Sequence, residues 1–119
     1  LPARLRRKLP GMFVLTKGPD GCLWLLPEGV WNEIVERPGL SAAVERFLVA
    51  SAYECKPGER GRFLIPDALR RHADIRPGDE VAIVGVRNRV EIWSAHRWET
   101  ANSRITSDHI RSLLPELFA

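Results

Sequence analysis

The sequence predicts a mainly β fold with helices, of the α+β class, built from two copies of one small unit and a helical tail. Three observations point there. One segment recurs at a fixed offset, short β-branched and aromatic runs are bounded by Gly and Pro, and apolar residues between those runs fall at helical spacing.

The repeat is visible at the start. Leu1-Pro2-Ala3-Arg4-Leu5-Arg6-Arg7-Lys8-Leu9 aligns with Ile65-Pro66-Asp67-Ala68-Leu69-Arg70-Arg71-His72-Ala73 at an offset of 64. Pro2 and Pro66 suit the first helical position, where the missing N–H loses no bond. Leu5 and Leu9, like Leu69 and Ala73, then share one face of a short helix. A Gly-containing turn follows in each copy, at Pro10-Gly11 and at Arg76 to Asp79. Apolar strands come next, Met12 to Thr16 and Val81 to Val86. Tight turns at Pro19-Asp20-Gly21 and Arg87-Asn88 lead into second strands, Cys22 to Leu26 and Val90 to Trp93. By then the offset is 68, so the second copy has gained about four residues near its first turn. Each copy then starts a helix and reaches a tryptophan, Trp31 or Trp98.

Between the copies, Glu28 to Glu36 places Trp31, Ile34 and Val35 at helical spacing, and Pro38-Gly39 stops that helix. Ser41 is the expected cap of a second helix over Ala42 to Leu48. Phe63-Leu64-Ile65 reads as a strand. A unit of about 45 residues buries too little apolar surface alone, so the two copies are expected to pack together. In the tail, Thr106 to Ala119, the residues Ile110, Leu113, Leu114, Leu117 and Phe118 form an apolar stripe interrupted by Pro115. That stripe either docks on a neighbouring subunit or folds back on its own domain.

Composition sets the broad class. Hydrophobic residues at 45% and charged residues at 28% support a packed core and argue against disorder. A net charge of +3 is compatible with nucleic acid but weak by itself. No secretory leader pattern and no run of roughly 18 apolar residues is present, so a cytoplasmic protein without a membrane span is expected. Cys22 and Cys55 are then expected as reduced, buried thiols, with a disulfide or a shared metal site as the alternative.

Catalytic patterns are lacking. His72, His96 and His109 are scattered, with no HxxxH, HExxH or CxxC spacing, and Gly58 to Arg62 lacks the lysine-serine ending of a phosphate loop. Glu33 and Glu36 belong to an exposed helical face. The chain is expected to be no enzyme and to need no cofactor, metal or small-molecule substrate. A hydrolase or metal enzyme would require Cys22, Cys55 and a histidine to converge in space.

The stronger signal is Cys55-Lys56-Pro57-Gly58-Glu59-Arg60-Gly61-Arg62. Its Pro and Gly residues make a turn that carries Lys56, Arg60 and Arg62 with exposed backbone. Such a loop approaches a sugar-phosphate backbone closely, and arginine forks bond phosphate or guanine edges in pairs. Arg70 and Arg71 lie just beyond, and Arg4, Arg6, Arg7 and Lys8 occupy the matching helix of the first copy. Composition alone equally allows a solvated basic loop. Duplication favours DNA, because related units present related loops to repeated half-sites.

Three motifs in order resemble the MraZ family, relatives of AbrB-type transcription factors: Thr16 to Pro27; Glu54-Cys55 with Gly61-Arg62 and Ile65-Pro66; and Val84 to Ser94 with Arg97-Trp98. The resemblance covers roughly residues 1 to 100. It implies two tandem swapped-hairpin barrel units with connecting and C-terminal helices: a first repeat over 1–47, incomplete at its start, a second over 48–100, and a tail over 101–119. It also implies a nucleoid-associated regulator, binding double-stranded DNA at direct repeats in the promoter of the division and cell-wall gene cluster. A ring-like homo-oligomer follows from the same resemblance, with Arg62, Arg60 and Lys56 as DNA contacts and Arg70 and Arg71 in support. An antitoxin-like module holding a protein partner is the alternative. Two departures stand out. Gly58 occupies the place of a family aspartate four residues before Arg62, and about one strand and a loop are expected to be missing ahead of Leu1. An incomplete first half would leave one sheet edge open to pairing.

Overall fold

The structure is a computed structural model and describes residues 11–56 and 63–115. Strands β1 (Phe13–Lys17) and β2 (Leu23–Pro27) form a first hairpin that runs directly into helix α1 (Glu28–Val35). Helix α2 (Ala42–Val44) begins under Ser41, whose hydroxyl accepts from Val44 N at 3.2 Å, and continues as a π-helical turn over Glu45–Val49. Strand β3 (Tyr53–Cys55) and helix α3 (Asp67–Ala73) follow. The second hairpin, β4 (Val81–Val86) and β5 (Arg89–Ser94), leads into α4 (Ala95–Ser103) and α5 (Ser107–Leu113).

Both hairpins belong to one antiparallel sheet of order β3-β1-β2-β5-β4. They meet where β2 pairs with β5: Leu23 opposite Ile92, Trp24 opposite Glu91, Leu25 opposite Val90. Adding 68 to the β2 numbers and subtracting it from the β5 numbers exchanges the first two pairs, so the register at this seam is two-fold symmetric. β3 covers the outer side of β1, while β4 forms the opposite edge.

The runs Phe13-Val14-Leu15 and Leu23 to Leu26 are nearly continuous in apolar residues because both sheet faces are covered. On one face Phe13, Leu15, Leu23, Leu25, Val90 and Ile92 pack against Leu69, Ala73 and Ile75 from α3 and its exit. Fully burying a side chain such as Leu69 stabilises by about 2–3 kcal/mol. On the other face Val14, Thr16, Leu26 and Trp93 are buried, and Thr16 Oγ1 donates to the Leu48 carbonyl at 2.6 Å.

Two expectations need correction. Phe63–Ile65 is irregular rather than a strand, and the strand of this region is β3. Phe63 turns its ring edge-on to Phe13, 5.4 Å between centroids, so it serves the core and leaves the ladder to Tyr53–Cys55. Pro66 sits one position earlier than expected, as the extended residue capping α3 (φ −58°, ψ 150°). The tail helix ends at Leu113, just before Pro115, where the sequence places the interruption. Ile110 is half-buried on it, whereas Leu113 and Leu114 are exposed. The expected helix over Leu1 to Leu9, the loop over Pro57 to Arg62, and Leu117 and Phe118 lie outside the described residues.

Candidate nucleic-acid interface

Of the five basic residues expected to meet DNA, three are described. Lys56 is exposed, one residue beyond the buried Cys55 that ends β3. Strand pairing fixes that point, since Cys55 stands opposite Phe13 on β1. Arg60 and Arg62, and with them Gly58, lie outside the described residues.

Arg70 and Arg71 ride on α3, whose Leu69 and Ala73 are buried in the core. The helix ends in a tight cap: Asp74 adopts φ 56°, its N–H reaches the Arg71 carbonyl at 3.2 Å, and Ile75 N–H reaches that of Arg70 at 2.9 Å. Buried Ile75 anchors this cap, which fixes the direction of the last turn. Arg71 is exposed on that turn. Arg70 is half-buried and ion-paired with Asp67 one turn earlier, so its charge is largely answered within the helix.

Beside this helix end lies the turn Gly18–Cys22, closed by Gly18 N–H donating to the Cys22 carbonyl at 2.8 Å. Gly21 takes φ +82°, as a three-residue hairpin loop requires. Gly18 is pressed so closely that a Cβ there would stand 2.6 Å from Cys22 Sγ and 2.9 Å from the Trp24 ring. His72 Nε2 lies 2.9 Å from the Gly18 carbonyl, with its ring edge-on to Phe47 at 5.7 Å. Arg97 comes in from α4 and donates through Nη1 to the carbonyls of Gly21 (3.0 Å) and His72 (2.8 Å). One guanidinium therefore ties the first hairpin, the helix carrying Arg71 and the second hairpin's helix together.

Around the seam, Glu91 Oε2 accepts from Arg89 Nε at 2.9 Å, and Oε1 accepts from Trp93 Nε1 at 3.1 Å. The Arg89 guanidinium lies over the Trp24 ring at 4.7 Å. Arg89 is thereby committed to the fold.

The two thiols are free and buried. Burial first, then the Glu91 and Asp20 charges, push Cys22 up to about 12, and burial pushes Cys55 up to about 11. Such thiols are the reverse of activated nucleophiles. Among the described residues no three His, Cys, Asp or Glu side chains gather to hold a metal ion, and no helix is long and apolar enough to cross a membrane. His96 lines an open groove of about 390 Å³ with Asp74, Arg76, Asp79, Glu80 and Ser94.

Arg97 and Gly18 were legible only as members of motifs, without a role. Nothing local in the sequence announces contacts that span 76 and 25 residues.

Comparison with known proteins bears on this site. Residues 48–112 match a family model described as "MraZ protein, putative antitoxin-like". A protein of Heliobacterium modesticaldum named Transcriptional regulator MraZ is 41% identical over 111 residues, spanning 87% of this chain and 76% of that one. Proteins of the same name from Lachnoclostridium phytofermentans and Moorella thermoacetica are 38% and 41% identical. Each alignment covers 98% of this chain, and 84% and 85% of the relatives.

Proposed function

The chain belongs to the MraZ family of transcriptional regulators, a regulator family and not an enzyme family, and from that membership we propose that it grips double-stranded DNA at promoter repeats. The supporting observation is the placement of Lys56 at the exposed end of a paired strand, where the basic loop departs. Lys56, Arg60 and Arg62 carry phosphate and base contacts in this reading. Arg71 adds support from a capped helix end, and Arg70 adds less because Asp67 answers it. The target is the repeat array ahead of the division and cell-wall gene cluster, bound by a ring-like homo-oligomer in the nucleoid. Residues 1–47 and 48–100 act as tandem units, with 101–119 as a tail.

The test is binding to repeat-bearing promoter DNA against shuffled DNA across a salt series. Each neutralised phosphate contributes about 0.9 to the slope of log affinity against log salt. Absence of binding at low salt ends the reading. Arg62→Ala is expected to weaken specific binding more than non-specific binding, by about 1–3 kcal/mol if the arginine reads a base. Equal loss on both DNAs reduces Arg62 to a phosphate contact.

A second reading, an antitoxin-like module that holds a protein partner, is favoured by the exposed Ile105, Leu113 and Leu114 at the tail. Pull-down with and without residues 106–119 separates it from the first.

A further inference from the structure

We infer that Arg87, at the tip of the second hairpin, is an additional contact to the DNA backbone; the inference rests on the DNA-binding reading above. β4 and β5 pair up to Val86 opposite Arg89, which leaves Arg87-Asn88 as a two-residue turn. Arg87 adopts φ +50° there, in the left-handed region that favours Gly or Asn. A bulky side chain held in that region is a strained choice, and such strain concentrates where function needs the residue. Asn88, a residue suited to that conformation, stands next to it and does not relieve it.

Placement supplies the second reason. Leu25 stands opposite Val90, and Pro27 stands opposite Phe13, which in turn stands opposite Cys55. The hairpin tip therefore projects from the same end of the sheet as Lys56. Between β3 and the β4–β5 turn lie three to four inter-strand steps, so the two cations are roughly 17 Å apart at about 4.8 Å per step. Long flexible side chains at that separation reach phosphates on both sides of a major groove about 12 Å wide. Exposed Glu28, just after Pro27 on the intervening β2, and Glu54 on β3 stand at the same end, so the two cations are separate contact points and not one basic patch.

The third reason is the stem. Arg89 is neutralised by Glu91 and stacked on Trp24, so it stiffens the hairpin and leaves phosphate to its neighbour. Arg87 is exposed and, among the described residues, makes no ion pair. A stiffened arm thus carries at its end a positive charge that no described residue pairs.

Signs of opposite direction test the inference. Arg87→Gly relieves the backbone and removes the charge; Arg87→Asn does the same with a side chain that tolerates the conformation; Arg87→Lys keeps the charge. Full-length proteins are titrated with repeat-bearing duplex DNA at several salt concentrations, and Tm is measured in parallel. Gly and Asn variants are expected to hold or raise Tm by a few degrees. Their affinity is expected to fall about fivefold near physiological salt, with the salt slope reduced by about 0.9, and the Lys variant to keep both. Wild type that binds while the Gly and Asn variants keep its affinity and slope overturns the Arg87 contact alone. Wild type that fails to bind overturns the DNA reading and the contact together. A Gly variant that loses affinity only in step with a falling Tm also overturns the contact.

Discussion

Arg97 Nη1 donates to the carbonyl of His72 at 2.8 Å, and the same nitrogen donates to Gly21 at 3.0 Å. The bonds are part-buried and charge-assisted, and both acceptors are backbone carbonyls. Arg97→Ala is expected to destabilise by about 2–3 kcal/mol, with Arg97→Lys recovering part of the loss because an ammonium reaches one acceptor at a time. Urea unfolding checks this: the midpoint falls and the slope stays constant. An unchanged midpoint in the Ala variant removes the tie.

Two glycines predict opposite outcomes for the same substitution. Gly18→Ala drives a methyl against Cys22 Sγ at 2.6 Å and the Trp24 ring at 2.9 Å, in a packed turn. About 1–3 kcal/mol of destabilisation is expected. Gly29 lies in α1 with nothing within 4 Å of its would-be Cβ. Gly29→Ala is expected to stabilise by about 0.5–1 kcal/mol through helix propensity. Thermal melts of the pair suffice, and equal shifts in one direction would contradict the packing around Gly18.

How far the sequence foretold the molecule depends on the reach of each interaction. Val81–Val86 was legible residue for residue because its strand signal is local, as were α1 and the Ser41 cap. β3 was not, because Tyr53–Cys55 is three residues long and owes its extension to pairing with β1, some forty positions away in sequence. Phe63–Ile65 has strand composition, yet the Phe13 ring draws it onto the core. Within the site, Lys56 and Arg71 are exposed. Neutralisation of Arg70 by Asp67 follows an i,i+3 spacing that the sequence already displayed. The Arg97 tie could not be read, since its partners come close only after both hairpins have joined.

Glu91 is buried at 7% exposure and serves two donors, Arg89 and Trp93. Glu91→Gln keeps an acceptor for the indole but leaves the Arg89 guanidinium, 28% exposed, without its counter-charge. A loss of about 1–3 kcal/mol is expected. The double variant with Arg89→Gln measures the coupling. Strict additivity of the two single losses would show that the pair contributes nothing beyond its parts.

The buried thiols predict a pH window. Cys22 is pushed up to about 12 and Cys55 to about 11, each from an ordinary 9.0. Below pH 9 the folded and unfolded chains both keep these protons, so the thiols leave stability indifferent to pH. Above it the unfolded chain releases protons that the folded chain retains, and stability falls as pH rises until the folded values of 11 to 12 are passed. Iodoacetamide at pH 8 is therefore expected to label native protein only as fast as it opens, and to label both cysteines promptly in urea. Because the Glu91 charge helps to raise Cys22, Glu91→Gln should bring Cys22 ionisation to lower pH while leaving Cys55 where it is. Prompt labelling of folded wild type, or equal movement of both thiols in the variant, would contradict the buried placement of Cys22 beside that carboxylate.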